Sequence, residues 1–216
     1  MDMKKTLYSM MLSDDVVREI DVLAHRLGTN RSSLVNSILA NHVSMMTPEQ
    51  RINDIFKALE ELMLPSRDII PFFEPNTPTM SFKSCLEYKY RPTVKYEVEL
   101  FGAPRMGSMG GLTVLFRTQS RALLDTMASF FLIWKQIEDA YLAPSTGARE
   151  YALYDGKFTR SLVCGENMTS GDLASGISDY VQLFDMLMKR YISGYADADT
   201  VADIYLEKLK SGKITV

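Results

Sequence analysis

An α+β fold in two unequal parts is what the sequence predicts, and three observations predict it. Residues 1–46 follow the order strand, helix, helix. After a run of prolines the apolar residues change from helical spacing to strict alternation, the mark of half-buried strands. Long apolar helical stretches then frame a hairpin signal in the C-terminal half. Of the 216 residues 46% are hydrophobic and 24% charged, the balance of a chain that builds a core and not of a disordered one. The net charge of −3 excludes a globally basic nucleic-acid binder, so any such contact must come from a local surface.

The first segment, Lys5 to Ser13, is of strand length and holds no glycine or proline. Ser13 followed by Asp14 and Asp15 is a helix start: a hydroxyl to cap free amides, and carboxylates at the positive dipole end. Val16, Ile20, Leu23, Ala24 and Leu27 share one helical face, and Gly28 stops the helix. A second helix follows from an N-cap at Asn30 or Thr29, with Leu34, Val35, Ile38, Leu39 and His42 inward and an end near Val43 or Ser44. A lone strand leaves its backbone half unpaired, and two helices of this length bury too little surface for an independent fold. A second copy of the chain answers both needs, by pairing its strand with this one over intertwined helices.

Lys4-Lys5 through Leu12-Ser13, the helix closed by Gly28, and the turn Gly28-Thr29-Asn30-Arg31-Ser32 resemble the ribbon-helix-helix family of Arc, MetJ and CopG type repressors. The resemblance is confined to this N-terminal module. It implies a dimeric, sequence-specific regulator that places a two-stranded ribbon in the major groove of double-stranded operator DNA. With Leu12 turned to the core, Leu7, Ser9 and Met11 face the base edges. Ser9 is then the hydrogen-bonding reader, and Leu7 and Met11 offer van der Waals contact, for example to thymine methyls. A register one residue away exposes Thr6, Tyr8 and Met10 instead, and neither register is clearly better from the sequence. Asn30, Arg31 and Ser32 at the start of the second helix, with Lys4 and Lys5, are the phosphate contacts the resemblance implies. The module itself is neutral: Lys4, Lys5, Arg18, Arg26 and Arg31 balance Asp2, Asp14, Asp15, Glu19 and Asp21. The alternative is an interaction protein of antitoxin type, which keeps the ribbon as a dimerisation device and binds a protein through its second domain.

Residues 47–81 read as a linker helix and a proline-rich connection. Thr47, Pro48 and Glu49 start the helix, Ile52, Ile55, Phe56, Leu59, Leu62 and Met63 give it an apolar face, and Pro65 ends it. Residues 82–216 read as an α+β domain for effector sensing, further oligomerisation or partner binding, with helices on one face of an antiparallel sheet of about five strands. Its strand candidates are Cys85 to Tyr90, Lys95 to Phe101 and Leu112 to Thr118, with a glycine-rich connection from Gly102 to Gly111. The others are the hairpin halves Tyr151 to Tyr154 and Phe158 to Val163, turning at Asp155-Gly156. Helices are expected over Gln119 to Tyr141, Gly171 to Ile192 and Ala198 to Leu209.

No catalytic constellation stands out. Histidine is confined to His25 and His42, and no cysteine pair has metal spacing, so neither an enzyme nor a metal or cofactor site is expected. Cys85 and Cys164 read as free buried thiols. Tyr88, Tyr90, Tyr96, Phe101 and Phe116 are either core or the wall of a small effector pocket. The most apolar window, Ala122 to Ile137, falls short of a membrane span, and the start is no signal peptide, so a cytoplasmic homodimer or higher homo-oligomer is expected.

Overall fold

The computed structural model describes residues 6–66, 68–88, 91–163, 165, 168–214 and 216. Its elements run α1 (Asp14–Arg26), α2 (Arg31–His42), α3 (Pro48–Met63), β1 (Ile69–Phe73), β2 (Thr79–Cys85), β3 (Thr93–Arg105) and β4 (Ser108–Phe116). They continue with α4 (Arg121–Ile137), one π-helical turn (Glu138–Leu142), α5 (Ala143–Thr146), β5 (Tyr151–Tyr154), β6 (Lys157–Val163), α6 (Ser170–Ile192) and α7 (Ala198–Lys210).

The strands form one antiparallel sheet of six, in the order β1-β2-β3-β4-β6-β5. Alternation decides its faces. Met80, Phe82 and Ser84 of β2, Val94, Tyr96, Val98 and Leu100 of β3, Leu112, Val114 and Phe116 of β4, and Phe158, Arg160 and Leu162 of β6 are buried. The residues between them, such as Lys83, Lys95, Glu97 and Thr113, lie on the open side. On the buried side α6 is the central helix. The Phe184 ring lies 4.8 Å from Trp134 and 5.3 Å from Phe130 of α4, and 6.0 Å from Phe158 of β6. Phe131 stacks on Phe158 at 4.8 Å. These rings bury a large apolar area and fix one another's orientation, which ties α4, α6 and the sheet into one core.

Several expectations change here. The presumed linker holds β1, and α3 packs on α6, β1 and β3 as part of the body. Pro71 is tolerated because β1 is an edge strand, where a missing N–H breaks no interior ladder. The strand expected over Cys85 to Tyr90 lies earlier and ends at Cys85, so the sheet has six strands where about five were expected. The glycine-rich connection is mostly strand, turning at Met106 and Gly107, which both have positive φ. Gly110 sits at a register shift where a Cβ would stand 2.0 Å from the Glu99 carbonyl oxygen, so only glycine fits. The α4 helix is shorter than Gln119 to Tyr141, because the backbone passes into the π-helical turn after Ile137. Cys85 is exposed and not buried, since it ends β2 on the open face, and Cys164 lies outside the described residues. The strand expected from Leu7 to Leu12 has no ladder within this chain: residues 6–13 belong to no helix or strand.

Candidate nucleic-acid interface

Residues 6–13, before α1, are neither helical nor paired with the chain's own sheet, yet their side chains are not equally exposed. Leu7 is 96% exposed and Met11 100%, whereas Met10 is 56% and Leu12 42%. Ser9 is exposed as well. Met10 and Leu12 thus have partial cover, but Tyr8, which the first register turns inward with them, is 83% exposed, so exposure does not select one of the two registers. Ser13 enters α1 in extended conformation at φ −68° and ψ 150°, but its hydroxyl makes no cap hydrogen bond, so of the expected start only the N-cap position and the acids Asp14 and Asp15 are present.

The two helices that follow are well formed but scarcely buried. Gly28, at φ +62°, closes α1, and the Thr29 amide reaches back to the Ala24 carbonyl at 2.9 Å. Asn30 caps α2 by accepting from the Ser33 amide at 2.9 Å. Among the described residues the Arg31 and Ser32 amides have no acceptor, so the start of α2 carries two free donors at the positive end of its dipole. Of the residues expected inward, only Ala24 and Leu34 are buried; Val16, Leu23, Leu27, Ile38 and Leu39 stay substantially exposed.

Arg31 is held in a way the sequence did not suggest. Its Nε donates to Asp21 Oδ1 at 2.7 Å and its Nη2 to Asp21 Oδ2 at 2.5 Å, a two-point pair that links the start of α2 to α1. The pair lowers the Asp21 pKa and raises that of Arg31, through the hydrogen bond first. Two of the five guanidinium N–H donors are used in this way, and Nη1 remains unengaged among the described residues. The geometry therefore holds the Arg31 guanidinium against an acid of α1. Lys4 and Lys5 lie outside the described residues.

The module is tied to the body by polar side chains that sequence reasoning passed over. Asn76, in the β1–β2 turn at φ +64°, donates to the Leu27 carbonyl at 2.6 Å, and Asn53 of α3 brackets it with bonds of 2.9 and 3.0 Å. Gln50, which completes the Thr47 capping box on α3, also donates to Asn41 of α2 at 2.8 Å. A lone Asn-Thr-Pro turn gives no sign in the sequence of what it will meet.

Inside the body sits a polar cluster, also unforeseen. Glu138 of the π-helical turn accepts from Arg160 Nε at 2.8 Å, Tyr151 Oη at 2.6 Å and Tyr205 Oη at 3.3 Å. Arg160 also donates to the Val216 main-chain oxygen at 2.7 Å and lies over the Tyr180 ring at 4.3 Å. The Tyr180 hydroxyl accepts from Trp134 Nε1 at 2.7 Å. Burial, with Glu138 close by, raises the pKa of the Tyr151 and Tyr205 phenols. The Glu138 and Arg160 side chains have no exposed surface, so a solute cannot reach the carboxylate without opening the core. The cluster is a buried charge pair with two phenols on Glu138 and the Tyr180 ring against Arg160. Of the five aromatic residues read as core or pocket wall, Tyr96 is buried on Asp185, Phe116 is core, Phe101 lies under Arg105, Tyr88 is exposed, and Tyr90 lies outside the described residues.

Among the described residues no three His, Cys, Asp or Glu side chains group as metal ligands, and no helix is long and apolar enough to cross a membrane. Neither a protein-family model, nor a curated protein, nor a solved structure matches the chain.

Proposed function

We propose that the chain is a dimeric DNA-binding regulator of the ribbon-helix-helix type, whose ribbon forms only between two copies. The observation that carries this reading is the pair of unmet demands in the module. Residues 6–13 have backbone groups with no ladder in this chain, and the helices behind them leave Val16, Leu23, Leu27, Ile38 and Leu39 in water. One partner, a second copy, meets both demands at once, through strand pairing and a shared helical core. Leu7, Ser9 and Met11 then face the major groove, and Arg31 Nη1 with the Arg31 and Ser32 amides faces the phosphates.

The test is a mobility-shift titration of DNA from upstream of the chain's own gene across a range of salt. A shift that weakens linearly on logarithmic axes as salt rises is expected. Arg31→Ala should weaken binding to all sequences alike and flatten that slope by about one unit, while Ser9→Ala should alter sequence preference. Salt-independent retention, or none at any salt, overturns the reading.

A second reading has its own observation. The ribbon's outward side chains include two fully exposed apolar ones, Leu7 and Met11, on a module whose charges cancel. Such a face suits a protein partner, and recovery of one bound protein without DNA would favour it.

A further inference from the structure

A cleft of about 920 Å³ opens where β2 leaves the sheet, between the start of β1, the last turns of α6 and the segment after α7. That is the size of a small-molecule site, for which ~300–1,000 Å³ is usual. Its floor is apolar, with Ile69, Leu86, Leu183 and Ile214 all buried. Its rim is basic: Lys83, Arg91, Lys189, Arg190, Lys208 and Lys213 line it. The acids there are Asp68, Glu87, Asp179 and Asp185, so six cations less four anions leave +2, in a chain whose net charge is −3.

The positive charge is also unevenly answered. Lys189 alone engages two of those acids, Asp185 at 2.7 Å and Asp68 at 3.7 Å. Asp185, itself buried, is held in turn by the Tyr96 hydroxyl at 2.8 Å, so Lys189 is fixed in place from the core. Among the described residues Lys83, Arg91, Arg190, Lys208 and Lys213 have no ion pair. Like charges facing one partly enclosed space repel each other, and an anion entering it relieves that repulsion at a lower dielectric than bulk water offers. A bare inorganic anion would leave the apolar floor unused.

We propose that this cleft binds a small organic anion with an apolar body, its charged end among Lys83, Lys208 and Lys213 and its body on Leu183 and Ile214. The site is built from the body alone and stands whether or not the module binds DNA. Cys85, exposed on the rim, reports its occupancy. The experiment follows alkylation of Cys85 in the full chain by peptide mass spectrometry, with anilinonaphthalene sulfonate as probe. At ten times its dissociation constant the probe should slow Cys85 alkylation about elevenfold, because that is the factor by which the free fraction falls. Exchanging Lys208 and Lys213 for Glu should weaken the protection about tenfold or more. Unchanged fluorescence of the buried Trp134 shows that this variant is folded, and Lys83→Gln, on a different element, should weaken protection independently. Inorganic phosphate at equal concentration should protect little. Unchanged alkylation, equal protection of the wild type and the folded variants, or phosphate protecting as well as the sulfonate each overturns the proposal. Probe that settles only on the apolar stripe of α1 and α2 leaves Cys85 unprotected and counts against it.

Discussion

Helix α6 and the α1–α2 pair carry the same kind of sequence, apolar residues at helical spacing, and end in opposite circumstances. Twelve residues of α6 are buried, against one in α1 and one in α2. Amphipathic spacing thus states that a face must be covered without saying by what. For α6 the cover lies in the same chain, on the sheet, α3 and α4. For α1 and α2 the described residues supply little cover, and the proposed second copy would provide it. The two regions should therefore respond differently to dilution. Under the proposed dimer, body stability should not change with protein concentration, while module stability should.

The largest expected effect belongs to the body. Glu138, which like Arg160 has no exposed side-chain surface, satisfies that arginine and two phenols, so Glu138→Ala leaves the Arg160 charge buried without its carboxylate. A loss of about 3–5 kcal/mol is expected, in the range measured for broken buried pairs. Urea unfolding followed through Trp134, the only tryptophan, measures it. Replacing both partners by apolar residues, Glu138→Leu with Arg160→Met, should recover most of the loss, because the penalty lies in the orphaned charge more than in the missing attraction. Both results should be independent of protein concentration. A loss below about 1 kcal/mol for the single variant would mean that water reaches Arg160 and that the cluster is not as closed as its geometry indicates.

Next in size is a change confined to the module. Ile38 lies on the exposed apolar face of α2 and outside the body's core. Ile38→Glu puts an unpaired carboxylate into any interface that α2 forms with a second copy, at two symmetry-related places. Such a burial costs several kcal/mol, and each 1.4 kcal/mol is tenfold, so dimer dissociation should strengthen by about two orders of magnitude or more. Sedimentation velocity over a dilution series reads this directly, and the urea midpoint of the body should not move. A dimer that survives Ile38→Glu would place the contact elsewhere and remove the basis for a shared ribbon.

How much of this was legible in the sequence follows the same division between local and distant causes. Features set by neighbours in the chain came through. The caps at Asn30 and Thr47, the stop at Gly28 and the hairpin at Asp155-Gly156 each depend on a few adjacent residues, and the structure places them as expected. Features set by a distant partner did not. Four prolines between Pro65 and Pro78 read as a linker, and only the edge position of β1 makes Pro71 compatible with a strand. Arg160 alternates in phase with Phe158 and Leu162 and so reads as an error in a buried stripe until Glu138 is brought against it. The cations of the cleft, scattered from Lys83 to Lys213, have no spacing that unites them. The exposed stripe of α1 and α2 is the reverse case. The sequence announced that it needed covering, and a single chain does not cover it.

The smallest expected effect is the most specific to the proposed interface. Asp21 would do two opposed things at the proposed interface: it fixes the Arg31 guanidinium in one orientation, and it offsets the charge that a phosphate would meet. Both side chains are about half exposed, at 47% and 54%, and ion pairs in such settings contribute little to stability, so the folded module should tolerate the loss of the pair. Toward DNA the balance differs, because each phosphate neutralised releases counterions and a nearby carboxylate opposes that release directly. The charge effect should outweigh the loss of aim, since the Arg31 side chain stays anchored at the first turn of a capped helix. Asp21→Asn should therefore tighten DNA binding about three- to tenfold at moderate salt and steepen its salt dependence, with no change in sequence preference. Measured beside Arg31→Ala, the two variants should move affinity in opposite directions. Weaker binding in Asp21→Asn would assign the acid a positioning role that exceeds its repulsion, and equal affinity would mean that Arg31 stands away from the phosphates altogether.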